Sequence, residues 1–295
     1  MSGLTVVVTD STASLPPWVA QARAIVVVPL QVVIGATVYD EGPGGATPEM
    51  VAEALKEFRP VSTSRPSPAY LLEVYEKAAA DGATEILSVH LSAEMSGTHE
   101  SAQLAAREAS VPVTVVDTRQ VGVATGYAAL TAADVLDAGG SVAEAAEAAR
   151  ARAADATALF YVDTLEYLRR GGRIGAAAAL LGGALSVKPL LKIADGRVAN
   201  LERVRTTSRA LSRLEDLVVE AAGDRPVEVC VSHLANPDRA GDLAGRLTDR
   251  LAANLAGRDV WCGELGAVLG AHVGPGMVAV CVAPLPDTGP DSSSG

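Results

Sequence analysis

The sequence predicts an α/β protein of two domains, the first built on a mostly parallel sheet between helices (α/β/α) and the second on a mixed sheet. Three observations predict it. β-Branched runs alternate with alanine-rich helical patterns through the first half, as strands joined by crossover helices do. An Asp195-Gly196 pair separates two apolar runs in the second half, a type I′ hairpin signal that makes those neighbours antiparallel. The length, 295 residues with 49% hydrophobic content, exceeds the usual size of one domain.

In chain order, strands are expected over residues 4–8, 25–30, 85–91 and 113–116, with helices over 48–56, 68–80, 101–108 and 122–138. Crossovers of this kind are right-handed, so residues that follow strand C-termini, Asp10 and Ser96 among them, face one edge of the sheet. Ligands of open α/β sheets bind at that edge. An alanine-rich helical segment then leads into LFYVDTLEYL, and the domain boundary is placed near residue 155: a first domain over 1–155 and a second over 156–286. The second half offers strands over 158–162, 190–193, 198–204, 227–232 and 278–283. Residues 287–295, rich in Pro, Asp, Ser and Gly, read as a disordered tail.

Charge and composition exclude several classes. A net charge of −11 argues against a nucleic-acid binder, whose affinity rests on neutralising phosphates. The longest uncharged apolar stretch, residues 174–187, is shorter than the roughly twenty residues of a membrane span, so no stable membrane insertion is expected. Asp10 interrupts the first apolar run, which does not suit a signal peptide. Cys230, Cys262 and Cys281 lie far apart without metal-ligand spacing; they read as small buried hydrophobes of a reducing compartment, and the protein as cytoplasmic. No nucleotide-binding loop, dinucleotide fingerprint, zinc-protease motif or nucleophile elbow occurs, and no metal or cofactor is expected.

Two polar strings stand out from the apolar background: VSTSRPSP from Val61 and MSGTHESA from Met95. In the first, Pro66 and Pro68 bias the residue before each ring toward extended geometry, so Thr63 and Ser64 are expected on a loop with free hydroxyls. In the second, the strand-like EILSVHL leads to Ser96, Gly97 and Thr98, and a helical pattern follows. A turn entering a helix leaves unpaired N–H donors and the positive end of the helix dipole facing outward, which favours a phosphate or carboxylate. Ser96 and Thr98 can equally be plain helix caps. His272, in GAHVGPG, reads either as a satisfied structural histidine or as a ligand contact admitted by its flanking glycines. His90 falls in a strand pattern, His99 follows Thr98, and His233 reads as a strand-end surface residue.

Taken in order, VVVTDSTASLP, TSRPSP, SGTHESA, VVDTRQ, GGRIG after VDTLEYLRR, the KPLLKIADGRV hairpin and the final HVGPG resemble the DegV family, bacterial fatty-acid-binding proteins that include the binding subunits of fatty acid kinase. The resemblance runs from about Thr5 to Ala283. It implies a DegV-like fold holding one long-chain fatty acid, such as palmitate, stearate or oleate, with no cofactor and no catalytic residue of its own. By position it implies that Thr63 and Ser96 donate to the carboxylate, that Ser64, Gly97 and Thr98 shape the head-group pocket, and that His272 helps fix the carboxylate. Arg170 would serve either that network or a partner surface. Two positions depart from the family pattern: Arg65, where glutamine is usual, and His99, where tyrosine or phenylalanine is usual. Residues 174–185 and 30–34 are candidate liners of the acyl tunnel, or ordinary core.

Between Leu168 and Leu214 lies a basic island in an acidic chain. Such a run reads as a solvated face. The resemblance implies instead a docking surface for an ATP-dependent kinase subunit, with Arg203, Arg205 and Arg173 as contacts; that subunit would phosphorylate the carboxylate to an acyl phosphate for phospholipid synthesis. Two rivals are a hydrolase or acyltransferase using Ser96 with His272, and a small-anion sensor indifferent to chain length.

Overall fold

A computed structural model describes residues 3–180 and 188–286. The chain opens with β1 (Leu4–Asp10), α1 (Pro17–Ala22) and β2 (Val26–Val28). The hairpin β3 (Gln31–Ile34) and β4 (Thr37–Asp40) follows, then α2 (Pro48–Lys56), β5 (Val61–Ser64), α3 (Pro68–Ala80), β6 (Ala83–His90), α4 (Thr98–Ala106), β7 (Val113–Asp117), α5 (Val123–Asp137) and α6 (Val142–Asp155). The second half runs β8 (Thr157–Tyr161), α7 (Glu166–Arg170), β9 (Lys188–Ala194), β10 (Arg197–Val204), α8 (Thr207–Ala222), β11 (Val227–His233), α9 (Pro237–Arg250), α10 (Ala252–Leu255), β12 (Trp261–Glu264), α11 (Ala267–Val273) and β13 (Val278–Pro284).

β2, β1, β6 and β7 form a wholly parallel sheet in that order. Its strands are apolar on both faces because helices cover both. Val8 and Ile86 pack with Leu71 and Tyr75 of α3 and Ala102 of α4, while Val7, Leu87 and Val89 pack with the alanines of α5 and α6. Helix starts follow their caps: Thr47 and Ser67 accept from the backbone N–H groups of Met50 and Tyr70, each with proline at the next position.

The second sheet is mixed, in the order β10-β9-β8-β13-β11-β12, with only β11 and β12 parallel. Asp195 (φ 50°) and Gly196 (φ 78°) make the expected tight turn. Helices α8 and α9 bury Leu214, Val218, Leu243 and Leu247 on one face of this sheet; the other face looks toward the first half of the chain.

A third, antiparallel sheet, β4-β3-β5, was not expected. Its strands are four residues each, and β3 and β4 meet over a short turn at Gly35 (φ 63°), a hairpin signal overlooked in QVVIGATVYD. This small sheet corrects the loop expected at Thr63 and Ser64: both are in β5, with Thr63 opposite Val32 and Ser64 opposite Gln31. The strand ends there because Pro66 cannot donate to a ladder. The strand expected at 25–30 is only Val26–Val28, and the helix expected at 101 begins at Thr98. β12 was also missed, and on this edge strand Cys262 is exposed, unlike Cys230 and Cys281. His233 is buried at the end of β11, not on the surface.

Candidate functional site

Three segments converge between the sheets. The end of β5 supplies Thr63 and Ser64; the turn between β6 and α4 supplies Ser96 and Gly97; α11 supplies His272. The turn is anchored at its start, where the Ser92 N–H donates to Gln120 O (2.8 Å) and the Ser92 hydroxyl to Gly196 O of the β9–β10 turn (2.7 Å). Ser96 is not the helix cap. Gly97 occupies that position, and Ser96 Oγ accepts from the Thr98 N–H (3.3 Å) and bonds Thr98 Oγ1 (2.9 Å), with Thr98 wholly buried behind it.

Helix α11 is fixed by Glu41, whose Oε1 accepts from the Val268 N–H at 2.8 Å, and by apolar packing on α2 and the small sheet. It thereby delivers His272 Nε2 to 2.8 Å from Thr63 Oγ1. His272 Nδ1 is buried without a hydrogen-bond partner among the described residues. Gly171 is what admits the ring, since a Cβ there would stand 2.2 Å from Nδ1. Burial, and secondarily the Arg173 cation, push the imidazole pKa down to about 4, so it is neutral at pH 7.

Arg173 donates from Nε to Met95 O (3.0 Å) and from Nη1 to Gly171 O (2.7 Å) and has no carboxylate partner among the described residues. Arg65 donates from Nη1 to Gly97 O (3.1 Å) and to Glu100 Oε2 (2.8 Å), bridging the two polar strings. It lies so close over Gly97 that a Cβ there would clash with its guanidinium.

Thr63, Ser64, Arg65, Ser96, Gly97, Arg173 and His272 all line one cavity of about 430 Å³. The rest of its lining is almost wholly apolar: Leu159 and Phe160 of β8, Ala279, Val280 and Cys281 of β13, Val268, Leu269 and Val273 of α11, with Leu30, Leu91, Ile193 and Val198. Of the expected tunnel liners only Leu30 is among them; Val32 and Ile34 turn instead into the core under α2, residues 174–180 do not line it, and 181–185 lie outside the described residues. Arg170 is not in the lining either; it is exposed and pairs with Glu166 at 2.6 Å. Arg173, expected on the outer surface, is the arginine that reaches the cavity, and the glycines on either side of it in GGRIG were the available sign of close packing. Arg203 and Arg205 are exposed, without an ion pair among the described residues, whereas Arg169, Lys188, Arg197 and Arg213 of the same island are paired with carboxylates.

The hydroxyl–imidazole–carboxylate chain that does exist was missed by sequence. Tyr75 OH bonds Ser88 Oγ (2.8 Å), Ser88 Oγ bonds His90 Nε2 (2.8 Å), and His90 Nδ1 bonds Asp10 Oδ2 (2.9 Å). Asp10 also accepts from the N–H groups of Thr12 and Leu91 and from Thr12 Oγ1. Ser88, His90 and Asp10 are all 0% exposed, so no substrate reaches them; the chain ties the C-terminal ends of β1 and β6 together. Ser96 bonds Thr98 and His272 bonds Thr63, so no serine–histidine pair is assembled at the cavity. No group of three His, Cys, Asp or Glu among the described residues could hold a metal, and no helix there is long and apolar enough to cross a membrane.

Comparison with known proteins bears on this arrangement. Residues 5–285 match the family model described as an uncharacterised protein, DegV family. A DegV domain-containing protein of Streptomyces coelicolor is 53% identical over 96% of this chain and 99% of its own length. Among solved structures, a DegV family protein from Thermus thermophilus, described by its fatty acid binding, is 32% identical with a TM-score of 0.86, covering 95% of this chain and 99% of the other. DegV of Bacillus subtilis, described as a fatty acid binding protein, is 30% identical with a TM-score of 0.87, covering 96% and 100%. With the family model matched over residues 5–285 and a relative 53% identical over nearly the full length, the chain belongs to the DegV family.

Proposed function

We propose that this protein binds one long-chain fatty acid, the acyl chain filling the apolar cavity and the carboxylate meeting its polar end. The observation that carries the reading is that an otherwise apolar cavity of about 430 Å³ has its hydroxyls, imidazole and arginines drawn together on β5, the β6–α4 turn, α11 and the GGRIG segment. Ligand sites of about 300–1,000 Å³ with a few placed polar groups fit small apolar ligands. Binding of fatty acids by the Thermus thermophilus and Bacillus subtilis relatives supports the same reading.

Burying fifteen methylenes at about 0.8 kcal/mol each supplies a gross driving force of roughly 12 kcal/mol, whereas each neutral hydrogen bond to the head group nets about 1 kcal/mol. The tail supplies affinity and the head group sets orientation. Thr63 and Ser96 donate to the carboxylate, while Ser64, Gly97 and Thr98 shape the space around it. Neutral His272, protonated on Nε2, donates to Thr63 Oγ1 and leaves the threonine proton free for the ligand. Arg173, in place of Arg170, supplies the positive charge that a half-buried carboxylate requires.

The bound acid is then presented to a separate ATP-dependent kinase subunit that phosphorylates the carboxylate to an acyl phosphate; this chain is not the catalyst. Exposed Arg203 and Arg205 on the β10 side are the docking contacts, and three free cysteines fit a cytoplasmic setting. The first half, 1–155, and the second, 156–286, act as two domains closing on the ligand.

The test is organic extraction of the purified protein followed by lipid mass spectrometry, with Ser96→Ala alongside. A stoichiometric fatty acid in the parent, depleted in the variant, is the expected result; absence of lipid from both would sink the reading. Arg203→Glu with Arg205→Glu should keep that lipid while abolishing its phosphorylation by the kinase.

A further inference from the structure

Arg65 lines the apolar cavity beside Ser64, Ser96 and Gly97, yet its side chain is 48% exposed, so it stands at the margin between the cavity and water. Its backbone is held, because Pro66 is buried and restricts the residue before it to extended geometry. The guanidinium sits over Gly97, where a Cβ would clash with it, and Nη1 donates to Gly97 O at 3.1 Å. Gly97 has an ordinary φ of −77°, so what glycine supplies there is room for the arginine. Nη1 also donates to Glu100 Oε2 at 2.8 Å, while Nε and Nη2 have no hydrogen-bond partner among the described residues. The Glu100 side chain is 67% exposed. An ion pair this open to water nets at most about 1 kcal/mol, which makes Glu100 an exchangeable partner.

We propose that Arg65 determines head-group specificity: it exchanges Glu100 for the ligand's carboxylate, and the protein thereby selects ionised acids over neutral lipids of the same chain length. The inference rests on the fatty-acid reading. A carboxylate held by Thr63 and Ser96 lies next to this guanidinium, since Thr63 is two positions before Arg65 in the chain and Ser96 adjoins the glycine whose carbonyl Arg65 holds. Two hydroxyls alone discriminate poorly, because each can donate to or accept from an alcohol as readily as it donates to a carboxylate. A guanidinium only donates, and its bonds to an ionised acceptor are about twice as strong as those to a neutral one. Arg173 is committed to backbone carbonyls through Nε and Nη1, so the cation free to turn toward the ligand is Arg65. Glu100 is the opposing element: it holds Arg65 in the empty protein and competes with the incoming acid.

Full-length protein stripped of lipid is titrated with palmitate and with hexadecanol, which has the same number of carbons and no charge. Both titrations are repeated on Arg65→Gln and Glu100→Gln, with Arg107→Gln at the end of α4 as a control for bulk charge. All three side chains are on exposed residues, so the core is untouched.

The preference for palmitate over hexadecanol should fall about fivefold in Arg65→Gln, rise in Glu100→Gln and stay unchanged in Arg107→Gln, with hexadecanol affinity the same throughout. The opposite signs at Arg65 and Glu100 separate this role from a merely structural bridge between the two polar strings. Equal losses of both ligands in Arg65→Gln, or weaker palmitate binding in Glu100→Gln, would assign the pair to that bridge and overturn the inference. So would a preference unmoved by Arg65→Gln, or one that falls equally in Arg107→Gln, with palmitate still bound by the parent. Failure of the parent protein to bind palmitate overturns the fatty-acid reading and this inference with it.

Discussion

Thr63 Oγ1 and His272 Nε2 meet at 2.8 Å although 209 residues separate them, and the bond joins a strand of the first half to a helix of the last. The threonine is thus oriented from behind by a base that does not itself titrate near pH 7. In the proposed reading its hydroxyl is both a ligand contact and a tie between the two halves of the fold.

Thr63→Val keeps a β-branched residue in β5 and removes the hydroxyl. Palmitate affinity should fall about tenfold, the equivalent of one lost head-group hydrogen bond and its unpaired partner, while the melting temperature moves by a few degrees at most. Isothermal titration and thermal unfolding of the same preparations check both halves; unchanged affinity would remove Thr63 from the site.

The His272 pKa of about 4 follows from burial and then from the Arg173 cation. Arg173→Gln should therefore raise it, and so should a bound carboxylate, which adds the opposite charge. Since the folded value lies below the ordinary value of 6.5, the histidine's contribution to stability is intact above about pH 6.5 and is lost as pH falls from there toward 4. Imidazole NMR titration measures these shifts, and a parent value near 6.5 would contradict the burial argument.

Gly171 has an ordinary φ of −73°, so its requirement is one of space and not of backbone conformation. Gly171→Ala places a methyl 2.2 Å from His272 Nδ1 and should displace the ring, costing ligand retention more than stability. Native lipid mass spectrometry reads the first and denaturant unfolding the second.

Asp10→Ala should cost about 3 kcal/mol or more, because it strips the partners of His90, Thr12 and the Leu91 N–H in a fully buried cluster. Chemical denaturation measures the loss. The same variant should show no change in any residual ester turnover, which distinguishes a structural Ser88–His90–Asp10 chain from a catalytic one.

Much of the scaffold was legible in sequence for physical reasons. Helices 48–56 and 68–80 are bounded as expected because a capping Thr or Ser followed by Pro marks a start unambiguously. The Asp195-Gly196 turn was equally plain. The small sheet was not, since four-residue strands carry too little alternation to register. Within the site, Thr63, Ser64, Ser96, Gly97 and His272 do line one cavity. Arg173, expected on the partner surface, lines the cavity, and Arg170, expected either at the head group or on that surface, is exposed and paired with Glu166; the end of a five-residue helix and the two glycines after it give no clue to which side chain points inward. Asp10 was read as facing the ligand edge, and its burial came from a partner eighty residues away, His90, that no local pattern announces.

The packing of α11 on the small sheet has a consequence for biosynthesis. Val32, Ile34, Val51 and Leu55 find their cover in Ala267, Val268 and Ala271. At about 5–20 residues per second, the ribosome takes roughly ten to fifty seconds to pass from the first group to the second. Throughout that interval an apolar face near the N-terminus is without its partner, so the nascent chain is a client for holdase chaperones, and slowing elongation between these segments should lower the yield of active protein more than slowing it elsewhere.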